Sequence, residues 1–122
     1  MSAGSKAAPV LRTEDDLTQL LAADPATPVL IFKHSTTCPM SAAAYREFPQ
    51  ALDGGDLAGV RSAVVRVIEE RPLSQVIARR WQITHQSPQV LLVRGQTLLW
   101  HASHHAITRR ALEAAAKAVP AP

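Results

Sequence analysis

Cysteine is nearly absent from this chain of 122 residues, which contains only Cys38. A single thiol cannot form an intramolecular disulfide, and a lone cysteine is typical of proteins in a reducing compartment. The sequence has no basic start followed by an apolar core and a cleavage site, and its apolar runs are soon interrupted by Arg, Gln or Pro. We therefore expect a cytoplasmic protein that has no membrane partner.

Aromatic residues are also scarce, at 4% of the chain, and offer few platforms on which nucleic-acid bases could stack. The formal net charge is +3, but the arginines are spread along the sequence and form no dense basic block. Scattered basic residues are typical of a solvated surface. The sequence therefore predicts no nucleic-acid partner.

The apolar and charged fractions, 47% and 19%, are those of an ordinary globular protein. A chain of this length is large enough for one domain with a core of its own. Because residues 1–9 are mostly small and polar, we expect a flexible N-terminal tail there and a single domain over residues 10–119.

Local patterns predict one helix, then strand, helix, strand, helix, two strands and a last helix. The predicted helices cover about 14–24, 39–48, 72–81 and 109–118, and the predicted strands cover 29–32, 63–68, 89–93 and 97–100. The first strand–helix–strand unit requires a parallel pair, and the last two strands are close enough for a hairpin. The fold class is therefore α/β, with a mixed central sheet flanked by helices.

Cys38 lies where a buried strand and a polar segment lead into a predicted helix. Pro39 suits the first helical position, which makes Cys38 the N-cap residue. The backbone N–H groups of Met40 and Ser41 and the Ser41 hydroxyl would then be near its sulfur. Unpaired N–H groups and the helix dipole favour a thiolate, so we interpret Cys38 as a reactive thiol and not as an inert core residue.

The position three residues after Cys38 is commonly a second, resolving cysteine in two-cysteine oxidoreductases. Here it is Ser41, and the chain has no other thiol. A disulfide formed on Cys38 must therefore be passed to an external thiol or kept. A small-molecule thiol is the natural second substrate.

Ser87 and Pro88 stand directly before the third predicted strand. X–Pro bonds are usually trans, and a plain trans entry into a strand is one interpretation. In thioredoxin-like folds the proline at this place is cis and lies beside the reactive sulfur, and the residue before it can hydrogen-bond an extended substrate. Together with the Cys38 motif, this similarity favours the cis form, with Pro88 facing Cys38.

Three segments resemble a known family, the monothiol bacilliredoxins of the bacillithiol system (YtxJ-type proteins). Residues 32–41 are similar to its Thr-Cys-Pro-x-Ser active site with the preceding Lys-His-Ser, and residues 83–90 and 100–104 resemble two further signatures. The resemblance extends from about residue 29 to 112. It implies a thioredoxin-like fold and the removal of bacillithiol from S-thiolated client proteins, with bacillithiol as co-substrate and no tightly bound cofactor.

The resemblance and the helix argument together give the candidate site. The resemblance implies that Cys38 is the catalytic residue, the thiol that accepts the bacillithiol. The residues expected to bind substrate or activate the thiol are Thr37, Pro39, Met40, Ser41, His34, Ser87 and Pro88. One departure from classical thioredoxins is Phe32, which occupies the position where many of them carry a buried carboxylate.

The histidines leave one question open. His101, His104 and His105 match no common zinc spacing, and no metal site is predicted. His34 could stabilise a thiolate if its ring turned toward the sulfur, or it could point into solvent or cap a helix.

Trp81 and Trp100 are interpreted as packing residues.

Two other classes of function remain open from the sequence. A non-catalytic thioredoxin-like binding module would hold Cys38 buried and unreactive, and thiol alkylation at neutral pH would distinguish it. A carrier resembling monothiol glutaredoxins would hold an iron–sulfur cluster across a dimer, although Pro39 stiffens the loop and removes one N–H near the sulfur. A colourless anaerobic preparation would argue against a cluster.

Overall fold

The computed structural model describes residues 9–35 and 59–121, and the structural statements below concern these residues. The predicted helix over residues 39–48 lies outside them. The elements in chain order are α1 (Glu14–Ala23), β1 (Val29–His34), β2 (Arg61–Arg66), α2 (Arg71–Arg80), β3 (Gln89–Arg94), β4 (Thr97–Ser103), a short 3-10 turn (His104–Ala106) and α3 (Arg109–Lys117). Each corresponds to an element that the sequence predicts, apart from the 3-10 turn.

The four described strands form one mixed sheet in the order β2-β1-β3-β4. β1 and β2 are parallel, as the strand–helix–strand unit requires, and β3 is antiparallel to both β1 and β4. The hairpin between β3 and β4 turns at Gly95, whose φ of 58° is a conformation that glycine adopts without steric cost. This arrangement confirms the predicted α/β class and the mixed central sheet.

β1 is the central strand that positions the site, and all six of its residues are buried. Its alternate side chains enter two separate hydrophobic clusters. Leu30 and Phe32 face the cluster that includes α3, whereas Val29 and Ile31 face the cluster that includes α1 and α2. A continuous apolar run is what such a strand needs, because neither face meets water.

The two tryptophans also belong to these two clusters. Trp81 is buried in the cluster on the α1 and α2 side, and Trp100 packs, half-buried, against the cluster on the α3 side. The interpretation of both as packing residues is confirmed.

The bounds predicted for β2 are wrong by two residues. The strand begins at Arg61, opposite Val29 of β1, and ends before Val67 and Ile68, which the sequence pattern includes. The Val67 N–H still donates a backbone hydrogen bond to the His34 carbonyl, at 2.9 Å, but Ile68 is 50% exposed. Pairing with β1, and not the hydrophobicity of the segment, sets where this strand ends.

The chain enters the sheet before α1. The Pro9 carbonyl accepts a hydrogen bond from the Val64 N–H, and the Leu11 N–H donates to the Val64 carbonyl, both at 2.8 Å. Val10 between them forms a parallel bridge with Val64. The tail predicted over residues 1–9 thus ends at a residue that is bonded to β2, while residues 1–8 lie outside the described part.

Thr13 begins α1 with a reciprocal cap. Its Oγ1 accepts from the Asp16 N–H at 3.1 Å, and the Asp16 carboxylate accepts from the Thr13 N–H at 3.2 Å. We expect Thr13→Ala to lower the free energy of unfolding by about 1 kcal/mol, measured by urea denaturation. Thr18→Ala, the same change at an exposed position within α1, should leave stability unchanged or slightly higher. Equal losses in both variants would contradict a role for the cap.

Candidate active site

The predicted site residues divide into two groups. Thr37, Cys38, Pro39, Met40 and Ser41 lie outside the described residues, so the helix N-terminus predicted for Cys38 stays a prediction. His34, at the end of β1, and Ser87 and Pro88, in the loop before β3, are described.

His34 is the last residue of β1 and is buried, with 9% of its surface exposed. Its ring meets the ring of Phe32 edge-on, with centroids 5.7 Å apart. Burial lowers the pKa of His34, and the charge of Glu69 opposes this in part. The alternative in which His34 points into solvent is therefore wrong. Stabilisation of the Cys38 thiolate by this ring stays a prediction.

The Ser87–Pro88 peptide bond is cis, the isomer that the sequence analysis favours. The Pro88 carbonyl accepts a hydrogen bond from the His104 N–H at 3.0 Å, which joins the loop before β3 to the end of β4. The two signature segments over residues 83–90 and 100–104 are thereby in contact. The predicted approach of Pro88 to Cys38 lies outside the described residues.

The Ser87 hydroxyl has no hydrogen-bond partner in the described part of the chain. Its Oγ is also buried. A buried hydroxyl without a partner costs free energy, which makes it a group that a bound substrate could satisfy.

Gln89 holds the loop that carries Ser87 and Pro88. Its side chain is buried, with Nε2 donating to the Thr84 carbonyl at 3.0 Å and Oε1 accepting from the Gln86 N–H at 3.4 Å. One side chain therefore satisfies two backbone groups of the loop. Sequence reasoning missed this role because Gln89 was interpreted only as the start of a strand.

We expect Gln89→Leu to lower the free energy of unfolding by about 1–2 kcal/mol, because the backbone groups of Thr84 and Gln86 would lose part-buried hydrogen bonds. Amide hydrogen exchange should rise at residues 84–87 and stay unchanged in α1. Gln96→Leu, an exposed position in the β3–β4 turn, is the matched control and should cost far less. Unchanged exchange in the loop would contradict the role given to Gln89.

A second feature that sequence reasoning missed is a buried lysine. Lys33 is fully buried, and its Nζ lies 3.2 Å from Nδ1 of His85, which in turn lies 3.1 Å from the Ser74 Oγ. Burial lowers the pKa of Lys33 to about 8. When Lys33 is charged its ammonium group can only donate, and this contact then requires Nδ1 of His85 to accept, which assigns the ring proton to Nε2.

His85 lies two residues before Ser87 and connects this buried amine to the loop. Its pKa is lowered, first by burial and then by the positive charges of Lys33 and Arg71. The one sequence signal for the cluster is the period of two in β1, which puts Lys33 on the same face as Ile31. The partner of Lys33 is 52 residues away in sequence, and no local spacing indicates it.

The three histidines that follow Trp100 do not gather into a recognisable metal centre. Within the part of the chain that the structure describes, no group of three or more His, Cys, Asp or Glu could hold a metal ion. His101 and His105 are exposed, and His104 acts through its backbone at Pro88. The described helices are also too short or too polar to cross a membrane.

The chain is similar to a known protein family and to solved structures. The family model described as monothiol bacilliredoxin BrxC matches residues 9–112. A solved structure of a proposed oxidoreductase with a thioredoxin fold is 31% identical, covers 88% of this chain and 92% of its own, and superposes with a TM-score of 0.80.

Two thioredoxins are similar in fold at low sequence identity. The thioredoxin of Trypanosoma brucei brucei is 11% identical, with coverage of 96% of this chain and 94% of its own and a TM-score of 0.76. The thioredoxin of Malassezia sympodialis is 16% identical, with coverage of 92% and 90% and a TM-score of 0.75. The predicted thioredoxin-like fold is confirmed.

Proposed function

This chain belongs to the monothiol bacilliredoxin family, and on that premise we propose that it is a cytoplasmic thiol–disulfide oxidoreductase. It removes bacillithiol, or a similar small thiol, from client proteins, and Cys38 is the thiol that carries out the exchange. The observation that carries the proposal is the family match over residues 9–112, a range that includes the one thiol of the chain. The relative that is 31% identical, a proposed oxidoreductase, supports the same class of chemistry.

The reaction takes two exchange steps at one sulfur. In the first, the Cys38 thiolate attacks the bacillithiol sulfur of the mixed disulfide, a bond forms between these two sulfurs, and the client leaves as a thiolate that takes up a proton from water. In the second, the thiolate of a free bacillithiol attacks the bacillithiol sulfur that is bonded to Cys38, and the Cys38 sulfur leaves as a thiolate. The products are the bacillithiol disulfide and the Cys38 thiolate, ready for another cycle.

The described residues support this proposal at the loop before β3. Ser87 offers a buried hydroxyl without a partner in the described part of the chain, which a client segment could engage. The hydrogen bonds of Gln89 hold that loop in place before any substrate arrives. Because the loop is already ordered, less conformational entropy is lost when a client binds.

The test follows the masses of both proteins. Wild-type protein, reduced and free of small thiols, is incubated with a bacillithiolated client, and intact masses are recorded over time. We expect the adduct to disappear from the client as it appears on Cys38, and added bacillithiol then to regenerate the free enzyme. An unchanged client mass with Cys38 accessible to alkylation would contradict the proposal. An unchanged client with Cys38 unreactive would favour the binding module.

A further inference from the structure

A cavity of about 240 Å³ opens beside the segments that carry the described site residues. Its lining residues come from the β2–α2 connection, from α2 and from the loop before β3, and they are Val67, Ile68, Arg71, Ser74, Gln75 and His85. The Val67 N–H donates a hydrogen bond to the His34 carbonyl, so this lining residue is held next to the end of β1. Another lining residue, His85, is two residues from Ser87.

Each of the four described polar side chains that line this cavity can donate a hydrogen bond. The Arg71 guanidinium can only donate, and Gln75 adds an amide N–H₂ group. Because Nδ1 of His85 accepts from the buried Lys33 ammonium, the proton of the ring is on Nε2, and the ring also has a donor to offer. A ligand that matches this set must carry strong acceptors.

Arg71, the one fully charged side chain among the described residues in the lining of the cavity, is positive. The positive charges of Lys33 and Arg71 both act on His85. Two acids stand in sequence between the lining residues Ile68 and Arg71. Glu70 is held by Arg66 in a two-pronged ion pair at 3.0 and 2.9 Å, and the charge of Glu69 acts on Arg66 and His34. No Asp or Glu is among the described residues that line the cavity. An anion would therefore be favoured there, since nothing on the walls repels it.

We propose that this cavity binds a carboxylate of the small thiol. Bacillithiol carries carboxylates on its malate moiety, and a carboxylate suits a guanidinium in both charge and geometry. The identity of the ligand rests on the proposed function, whereas the preference for an anion rests on the cavity itself. Lys33 is not among the residues that line the cavity. Its buried ammonium group donates to Nδ1 of His85 and so leaves Nε2 of that ring protonated, as a hydrogen-bond donor.

The direct test uses L-malate as the probe and the full chain as the receptor. Malate is titrated while the NMR signals of the His85 ring and the Ser74 amide are followed, with the uncharged diamide of malate as the comparison ligand. We expect saturable shifts with malate and none with the diamide. Shifts that do not saturate, or equal shifts with the diamide, would overturn the proposal.

Arg71→Gln should weaken malate binding about three- to tenfold and raise the KM for bacillithiol in the second exchange step by a similar factor, with little change in kcat. Arg79→Gln is the matched control, because it removes the same charge from the same helix away from this cavity. If Arg79→Gln weakens binding as much as Arg71→Gln, the effect is one of overall charge and the proposal is wrong.

The client assay on the same wild-type preparation separates this inference from the proposed function. Transfer of the adduct to Cys38 without any saturable effect of malate would overturn the cavity assignment and leave the proposed function standing. Saturable malate binding without adduct transfer would overturn the proposed function, and with it the small thiol as the ligand.

Discussion

Cys38→Ser should abolish the release of bacillithiol from a modified client, the largest effect expected of any single substitution. The chain has one thiol, and a serine hydroxyl at neutral pH is neither ionised nor able to attack a disulfide sulfur. The measurement is the intact mass of the client after incubation with each variant. The client should keep its adduct with Cys38→Ser and lose it with wild type.

Alkylated wild-type protein is the control for this experiment. Since Cys38 is the one reactive sulfur available, blocking it with iodoacetamide should reproduce Cys38→Ser without any change of sequence. A client that is reduced equally well by Cys38→Ser would rule out the mechanism. In the opposite direction, Ser41→Cys should permit an internal disulfide if the two sulfurs can approach on the first helical turn, giving two-thiol behaviour.

The buried amine of Lys33 should make the protein more stable as the pH rises. Its pKa is about 8 in the folded chain against 10.5 for an unburied lysine, so the unfolded state binds more protons between these values. The free energy of unfolding should therefore increase by up to about 3 kcal/mol from about pH 7.5 to about pH 10.5. This gain is lost as the pH falls through the folded pKa. Urea denaturation at a series of pH values measures it.

Lys33→Met should remove that rise and leave the protein at least as stable as wild type at pH 7. A buried charge is then replaced by an apolar side chain of similar length, and His85 keeps the Ser74 hydroxyl as a partner. Lys117→Met, at an exposed position on α3, is the control and should retain the rise. Parallel stability curves for Lys33→Met and wild type would show that Lys33 is not the group responsible.

Much of the fold could be predicted because its signals are local. Thr13 followed by acidic residues is a typical N-cap pattern, and Thr13 is the N-cap of α1. The apolar run from Val29 indicates a strand buried on both faces, and β1 is one. Gly95 between two apolar runs indicates a hairpin, and its positive φ is part of the turn.

The errors arise where a distant partner decides the outcome. The pairing of Val29 with Arg61 begins β2 two residues before its apolar run, and Ile68 is left in a turn. Lys33 lies outside the predicted strand because that prediction follows the apolar run and ends at Phe32. It is buried within β1, between β2 and β3, and its partner His85 lies in the loop that Gln89 holds.

The candidate site was predictable as separate motifs but not as an assembly. The segments around Pro88 and His104 could each be recognised, while their backbone contact depends on the antiparallel pairing of β3 and β4. The cavity beside His85 has no counterpart in any motif. Its walls come from three elements, and only the folded chain brings them together.

The bridge between Val10 and Val64 has a consequence for self-association. β2 ends the row of described strands, and an end strand with free N–H and C=O groups is a template for pairing with another molecule. Pro9 and Leu11 occupy both backbone groups of Val64, so the middle of that strand is closed to a second copy. A shortened chain that began after Leu11 would present this edge bare, and intermolecular sheet extension would compete with a monomeric state.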